Sequence, residues 1–430
     1  MLTPVPVQVR TLASYRHVLD PRLVQQILDR AATLRGKRVV HINATPNGGG
    51  VAEILQTLIP LLRSVGVDAH WYVLPPEDDF FEVTKRVHNW MQGKAGHLSR
   101  RDRDVYLSYS ERVAGEMRTQ MPELAADLWV IHDPQPLPLR SLVPLEGPAI
   151  WRCHIDCSAP NGGVCEFLLP WMRDYDQMVF TLPAFCLDGL EADQVALQFP
   201  AIDPLAPKNR RLSRSEARTI LATLGVDTTR PVVTQVSRFD DWKNPWEAVD
   251  SYRLAKHEIP GLQLALVGVF SASDDPEAPR VYRSVQLHAD ADPDIHFFTD
   301  PAQVGPLQIN AFQTASTAIL QRSTREGFGL TVTEAMWKGA PVIGTPIGGI
   351  AVQIKDYENG FLASTAESCA QRIVEVVSQP RRAREIGRAA RAAVRQRFLT
   401  PHLLADELQR YVQCTDLHAR RTAKPGTAAA

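Results

Sequence analysis

With 430 residues the chain is too long for one ordinary hydrophobic core, and two domains of about 200 residues each are expected. Its 44% apolar and 22% charged content belongs to a globular protein, and a formal net charge of -1 gives no electrostatic footprint for nucleic acid or an anionic membrane surface. The opening Met1-Leu2-Thr3-Pro4-Val5-Pro6 lacks the apolar run of a signal peptide, no stretch of eighteen apolar residues occurs, and six cysteines do not suggest a disulfide scaffold, so a cytoplasmic location is expected.

An amphipathic helix is expected at about Pro21 to Leu34, then a buried strand from Arg38 to Asn43. This strand runs into Asn43-Ala44-Thr45-Pro46-Asn47-Gly48-Gly49-Gly50, and a helix starts at Val51 with apolar residues at 51, 54, 55, 58, 61, 62 and 65, a helical spacing. Three consecutive glycines let the backbone approach a ligand closely and aim N–H groups at an anion; a purely structural glycine turn is the alternative. The dinucleotide-binding pattern is not met, because Glu53 stands where its third glycine belongs, which leaves a dehydrogenase with only Asp68 as a ribose-binding acid. Further strands are expected at Ala69–Leu74, Asp127–His132 and Ala149–His154, and alternation with helices predicts a parallel, doubly wound sheet. Asp133 and His154 end two of these strands, where they can meet a sugar hydroxyl; for His154 a satisfied buried histidine is the plainer alternative. Cys153, His154, Cys157 and Cys165 cluster, but no second paired ligand set at zinc spacing accompanies them, so buried reduced thiols are expected.

Pro200, Pro204 and Pro207 among polar residues mark a linker, after which a second alternating series has strands at 231–237, 262–268, 295–298, 317–321 and 341–344. The fold class expected is therefore α/β, with two Rossmann-like doubly wound domains, residues 1–205 and 206–385, facing across a cleft. Residues 386–418 are expected as a helical segment packing back on the first domain, and 419–430 as a disordered tail.

Between the first strand and first helix of the second series, Ser237-Arg238-Phe239-Asp240-Asp241-Trp242-Lys243 places two fixed cations at the crevice. A diphosphate leaving group gains charge as its bond breaks, so Arg238 and Lys243 there stabilise the transition state more than the ground state. Surface ion pairing to Asp240 and Asp241 is the alternative. Further on, Arg325-Glu326-Gly327-Phe328-Gly329-Leu330-Thr331-Val332-Thr333-Glu334-Ala335 sets two carboxylates eight positions apart around a glycine-rich turn that opens a helix at about Thr331. Backbone N–H groups at Gly327, Phe328 and Gly329, beside Leu330, suit phosphate or a polarised sugar oxygen at a strand's carboxyl end. Glu326 would face the ligand, and Glu334 could accept hydrogen bonds from two neighbouring hydroxyls, as a ribose offers. Thr331 to Glu334 also reads as a capping box, in which Glu334 would only tie down the helix start. The acidic runs Asp102/Asp104 and Asp290/Asp292/Asp294 lie beside no glycine-rich loop, so neither a metal nor a cofactor is expected.

Taken together, His41–Glu53, His132–Pro136, Trp151–Asp156, Arg325–Trp337 and Gly348-Gly349-Ile350 resemble the retaining glycosyltransferases of family 4, which have the GT-B fold, and among them the trehalose glycosyltransferring synthases. The resemblance implies an acceptor-side first domain and a nucleotide-sugar-binding second one. It implies catalytic roles for Arg238 and Lys243 on the diphosphate, Glu326 beside the transferred glucose and His154 on its far hydroxyls. Substrate would also be met by Gly48, Gly49, Gly50, Asp133, Asp156, Gly327, Phe328, Gly329, Leu330 and Glu334, the last through the ribose. The implied reaction joins a nucleoside diphosphate glucose, such as UDP-glucose or ADP-glucose, to glucose, giving trehalose reversibly with retention by same-face attack. Neither nucleic acid nor membrane is an expected partner, and a homodimer is kept open. Two alternatives stand beside it: a retaining trehalose phosphorylase, typically longer and using inorganic phosphate, and a non-catalytic sugar or nucleotide sensor on the same fold. A sensor would be expected to have lost one of Glu326, Arg238 or Lys243, and all three are present.

Overall fold

The computed structural model describes residues 1–47, 49–268 and 278–423; Gly48 of the glycine triplet and residues 424–430 of the expected tail lie outside the described residues. The chain divides into two compact units, Met1–Pro200 with Thr400–Ala430, and Ala201–Leu399.

The first unit is built on strands β1 (Thr3–Pro4), β2 (Arg38–Asn43), β3 (Asp68–Val73), β4 (Leu128–His132), β5 (Ala149–Arg152), β6 (Gln177–Phe180) and β7 (Val195–Leu197), in the sheet order β1-β3-β2-β4-β5-β6-β7. Only β1 is antiparallel, against β3; the other pairings are parallel. Helices cover both faces of such a sheet, which is why its strands read as apolar runs. Trp71, Trp129 and Trp151 are fully buried on it, and each indole N–H finds an acceptor: Asn43 Oδ1 at 2.6 Å, the Glu146 carbonyl at 3.0 Å and the Asp133 carbonyl at 2.9 Å. Strand order reverses between β2 and β4, and open α/β sheets bind ligands at the carboxyl ends beside such a reversal. The loops after β2 and β4 carry the glycine triplet and Asp133.

The helix Gly50–Ser64 buries Ile54, Leu55, Leu58, Leu61 and Leu62, as its spacing predicts. The chain returns to the first unit at Thr400, later than residue 386, because the helix Pro380–Arg397 stays with the second unit. There its Gly387 lies so close to Gly339 that an added Cβ would sit 2.0 Å from the Gly339 carbonyl oxygen. The last helix, Thr400–Ala423, runs beyond residue 418. Its final turns are held by His418 Nδ1, 3.0 Å from Asp176 Oδ1, and by Arg421, which donates to the Tyr175 carbonyl at 2.9 Å.

The second unit has strands β8 (Val232–Val236), β9 (Gln263–Val267), β10 (Ile295–Phe298), β11 (Ala318–Gln321), β12 (Val342–Gly344) and β13 (Phe361–Leu362). All are parallel, in the order β10-β9-β8-β11-β12-β13. This is the doubly wound order of dinucleotide-binding sheets, with its reversal between β8 and β11. Among the described residues no helix is long and apolar enough to cross a membrane.

Candidate active site

The loops leaving β8 and β11 flank the reversal point of the second sheet, so the topology alone brings Ser237–Lys243 and Arg322–Leu330 together. Lys243 is placed by a short 3-10 turn, Asp241–Lys243, capped by Asp240, whose carboxylate accepts the Lys243 N–H at 3.0 Å. Its carbonyl is held by Gln235 Nε2 at 2.9 Å, and its ammonium lies 2.6 Å from Glu326 Oε2. The same oxygen receives Ser323 Oγ at 3.2 Å and Gln321 Nε2 at 3.3 Å, so Glu326, only 7% exposed, is a buried carboxylate with three donors on Oε2. Arg238 is 3.3 Å from the buried Asp240 while its own side chain stays 41% exposed. Surface pairing to Asp240 and Asp241 thus describes Arg238 only in part. It does not describe the Lys243 ammonium, since Asp241 pairs with Arg280 at 2.8 Å.

The turn Gly327–Gly329 is shaped for close approach. Gly329 has φ of 83°, a left-handed conformation costly for any residue with a Cβ, and it is the N-cap of the helix Leu330–Lys338 without any side-chain cap. The capping-box reading of Glu334 is therefore overturned: the helix starts before Thr331, and Glu334 sits inside it. Behind the turn, Gly349 packs so tightly that an added Cβ would be 2.1 Å from Phe328 Cα, and Gln353 Nε2 donates to the Phe328 carbonyl at 2.6 Å.

Glu334 is 1% exposed. Its Oε1 lies 2.6 Å from the Lys208 ammonium but accepts no well-directed hydrogen bond, while Gln313 Nε2 reaches Oε2 at 3.4 Å. Lys338, one turn on, donates to Asn209 Oδ1 at 2.9 Å and to the Glu334 carbonyl at 3.2 Å. Burial lowers its pKa to about 7, partly opposed by the Glu334 carboxylate. Lys208 and Lys338 were not singled out from the sequence. Lys338 carried a signal, being one helical turn after Glu334; Lys208 carried none.

In the first unit, Gly49 has an extended φ of -149° and nothing within 4 Å of a built Cβ, so neither strain nor crowding demands glycine there. Gly50 opens the helix. Asp133 adopts φ of 62°, and its Oδ1 accepts the His154 backbone N–H at 2.8 Å. Burial raises its carboxyl to about 7, against that hydrogen bond and the nearby Arg152. His154 lies beyond β5, which ends at Arg152, and its Nε2 is 3.1 Å from His132 Nδ1. Asp156 is buried, and its Oδ1 accepts from the Ser158 N–H at 3.0 Å and hydroxyl at 2.6 Å.

Cys153 and Cys157 are free thiols with sulfurs 3.9 Å apart; the Cys157 thiol is pushed up by its contact with Cys153 and by burial. Among the described residues no group of three or more metal-ligating side chains forms. Asp292 and Asp294 each lie 2.9 Å from Lys256, and Asp294 also pairs with Arg230 at 2.7 Å.

Residues 41–187 match the family described as trehalose synthase, N-terminal domain, and residues 217–393 match glycosyl transferases group 1. A trehalose synthase from Rubrobacter xylanophilus is 43% identical over 407 residues, which is 94% of this chain and 97% of that one. A trehalose phosphorylase from Pleurotus sajor-caju is 28% identical over 413 residues, 83% of this chain but 55% of that one. Among solved structures, sucrose-phosphate synthase from Thermosynechococcus elongatus aligns with a TM-score of 0.69 at 18% identity, covering 89% of this chain and 100% of that one, which shows the GT-B fold. Two parallel doubly wound sheets, each half matched by a glycosyltransferase family and nearly the full length shared with a trehalose synthase, leave one assignment: the chain belongs to the trehalose synthase family of glycosyltransferases.

Proposed function

We propose that the protein transfers glucose with retention from a nucleoside diphosphate glucose to glucose, forming trehalose reversibly. The observation that carries this reading is the Lys243–Glu326 pair beside Arg238 at the strand-order reversal of the second sheet. Two cations on short, capped loops are preorganised for a diphosphate whose charge rises as the glycosidic bond breaks. Glu334 takes the ribose hydroxyls, and Lys208 gives way as they arrive, since its ammonium now covers Oε1. Gly327, Phe328, Gly329 and Leu330 bring the helix N-terminus to the donor. Glu326, paired with a lysine, is not a free nucleophile; it orients the transferred glucose while the acceptor attacks on the face the diphosphate leaves. In the first unit, Gly49 and Gly50 offer an uncrowded backbone to phosphate, His154 contacts glucose hydroxyls, and Asp133 and Asp156 shape the sugar side.

Incubation with glucose and UDP-glucose or ADP-glucose tests this by proton NMR. A disaccharide product with one symmetric α-anomeric signal is expected; a product with a reducing end of its own or a β-linkage would sink the trehalose reading. The same assay is expected to tolerate a strong chelator, because Arg238, Lys243 and helix N-termini manage the charge. Complete inhibition reversed by magnesium would contradict that.

A further inference from the structure

His41 lies in β2, His132 ends β4 and His154 follows β5, so three neighbouring strands present a row of imidazoles. Successive ring planes differ by 21° and 19°, with centroids 5.3 and 5.4 Å apart. His154 Nε2 is 3.1 Å from His132 Nδ1, His132 Nε2 is 3.0 Å from His41 Nδ1, and His41 Nε2 is 2.9 Å from the Tyr411 hydroxyl. Burial holds all three rings neutral, lowering His41 to about 3 and the other two well below the usual histidine value. A neutral imidazole has one N–H and one lone pair, so a ring that donates on one side accepts on the other. All the bonds in the row therefore point the same way, and reversing one reverses every one.

The direction is set at the far end. Glu407, 6% exposed, lies one helical turn before Tyr411 on the same helix, so the two side chains share a face and its carboxylate bears on the Tyr411 hydroxyl. An ionised Glu407 takes the Tyr411 O–H in a charge-assisted bond stronger than one to a neutral ring. The Tyr411 oxygen then accepts from His41 Nε2–H, His41 Nδ1 from His132 Nε2–H, and His132 Nδ1 from His154 Nε2–H. His154 Nδ1 is left as a lone pair. We propose that His41, His132 and Tyr411 are positioning residues, a relay that fixes which nitrogen of His154 carries its proton, with Glu407 setting the direction. The relay deepens the reading of His154 as a sugar-contacting residue and rests on it: a bare Nδ1 accepts from a sugar hydroxyl and donates to nothing. When His154 Nδ1 gains a proton, each hydrogen in the row moves one place. The His154 Nε2 proton passes to His132 Nδ1, the His132 Nε2 proton to His41 Nδ1, the His41 Nε2 proton to the Tyr411 oxygen and the Tyr411 hydroxyl proton to Glu407.

Burial raises the Glu407 carboxyl to about 6, against the pull of Arg152 and of the nearby Tyr411 and Gln198 side chains, with Asp406 adding repulsion. Arg410 also bears on Glu407, Arg152 faces both His132 and His154, and Asp133 holds the His154 backbone. Glu407 is thus ionised at about pH 8 and protonated at about pH 5.

Long-range proton–nitrogen correlation on the full chain labelled with 15N-histidine reads the tautomers without any substrate. At about pH 8 all three rings are expected to carry hydrogen on Nε2, and on acidification to about pH 5 they shift together toward Nδ1. Tyr411→Phe and Glu407→Gln are expected to leave His154 as a mixture of tautomers at about pH 8. In both, kcat for transfer should fall about tenfold while KM for the donor changes less than about twofold. An Nδ1–H ring in the wild type at about pH 8, three rings that titrate independently, an unchanged His154 tautomer in both variants, or a released tautomer with unchanged kcat would each overturn the relay. If neither variant folds, the wild-type spectra decide. A wild-type row with the expected tautomers in a protein that makes no trehalose would leave the relay standing and sink the reading of the reaction instead.

Discussion

Lys243→Ala is expected to lower turnover by about a hundredfold or more, and Arg238→Ala by a similar factor, as removal of a preorganised charge stabiliser commonly does. About a hundredfold corresponds to roughly 2.7 kcal/mol of lost transition-state stabilisation. The two variants differ in a second respect. Lys243 is a cation on a carboxylate that is only 7% exposed, so its loss takes a charged partner from the buried Glu326 and should also lower the melting temperature. Arg238 is 41% exposed, although Asp240 beside it is buried, and its removal should cost less stability than the loss of Lys243. Steady-state kinetics with thermal melts separates the effects, and the double variant Lys243→Ala/Glu326→Gln should regain stability without regaining turnover. Wild-type turnover in both single variants would place the diphosphate elsewhere.

Glu334→Ala is expected to weaken nucleoside diphosphate binding by about 1 to 3 kcal/mol, the scale of lost charge-assisted hydrogen bonds. Alanine also deprives Lys208 of its partner and Lys338 of a nearby carboxylate, so some loss of stability is expected whatever the ligand does. Glu334→Gln is the sharper variant, because it keeps the packing of a 1% exposed side chain and removes only the charge. Calorimetry on both should show the affinity loss. Unchanged affinity in both, with a lowered melting temperature, would make Glu334 only a structural partner of Lys208.

The central strands were legible because each is five or six residues long and rich in apolar, β-branched or aromatic residues: Arg38–Asn43, Asp68–Val73, Leu128–His132, Val232–Val236 and Gln263–Val267. The strands not read from the sequence are β1 and β13, of two residues each, too short for any periodicity, together with β6 of four and β7 of three; β5, β10, β11 and β12 are as short and were expected, so length alone does not separate β6 and β7 from them. The helices Asp78–Met91, Arg100–Leu124 and Gly162–Met172 were passed over as well, although the Ser99–Asp102 capping box was a usable signal for the second. In the site, Arg238, Lys243 and Glu326 could be placed together because each follows a strand end and strand order decides which loops meet. What lay beyond reach were partners set by tertiary packing: Lys208 on Glu334, and Tyr411 on His41 across 370 positions of sequence. The alternative reading of Thr331 to Glu334 as a capping box fails for a local reason. Its spacing is right, but glycine at 329 lets the helix begin two residues earlier than the box requires.

The donor is the point on which the account turns, and running the reaction backwards tests it most directly. The protein is incubated with trehalose and, separately, UDP, ADP, GDP or inorganic phosphate, and the sugar product of each is identified. A nucleoside diphosphate glucose should form with at least one nucleotide, with no glucose 1-phosphate from the phosphate incubation. Glucose 1-phosphate from phosphate, with every nucleotide inert, would contradict the account and make the protein a phosphorylase.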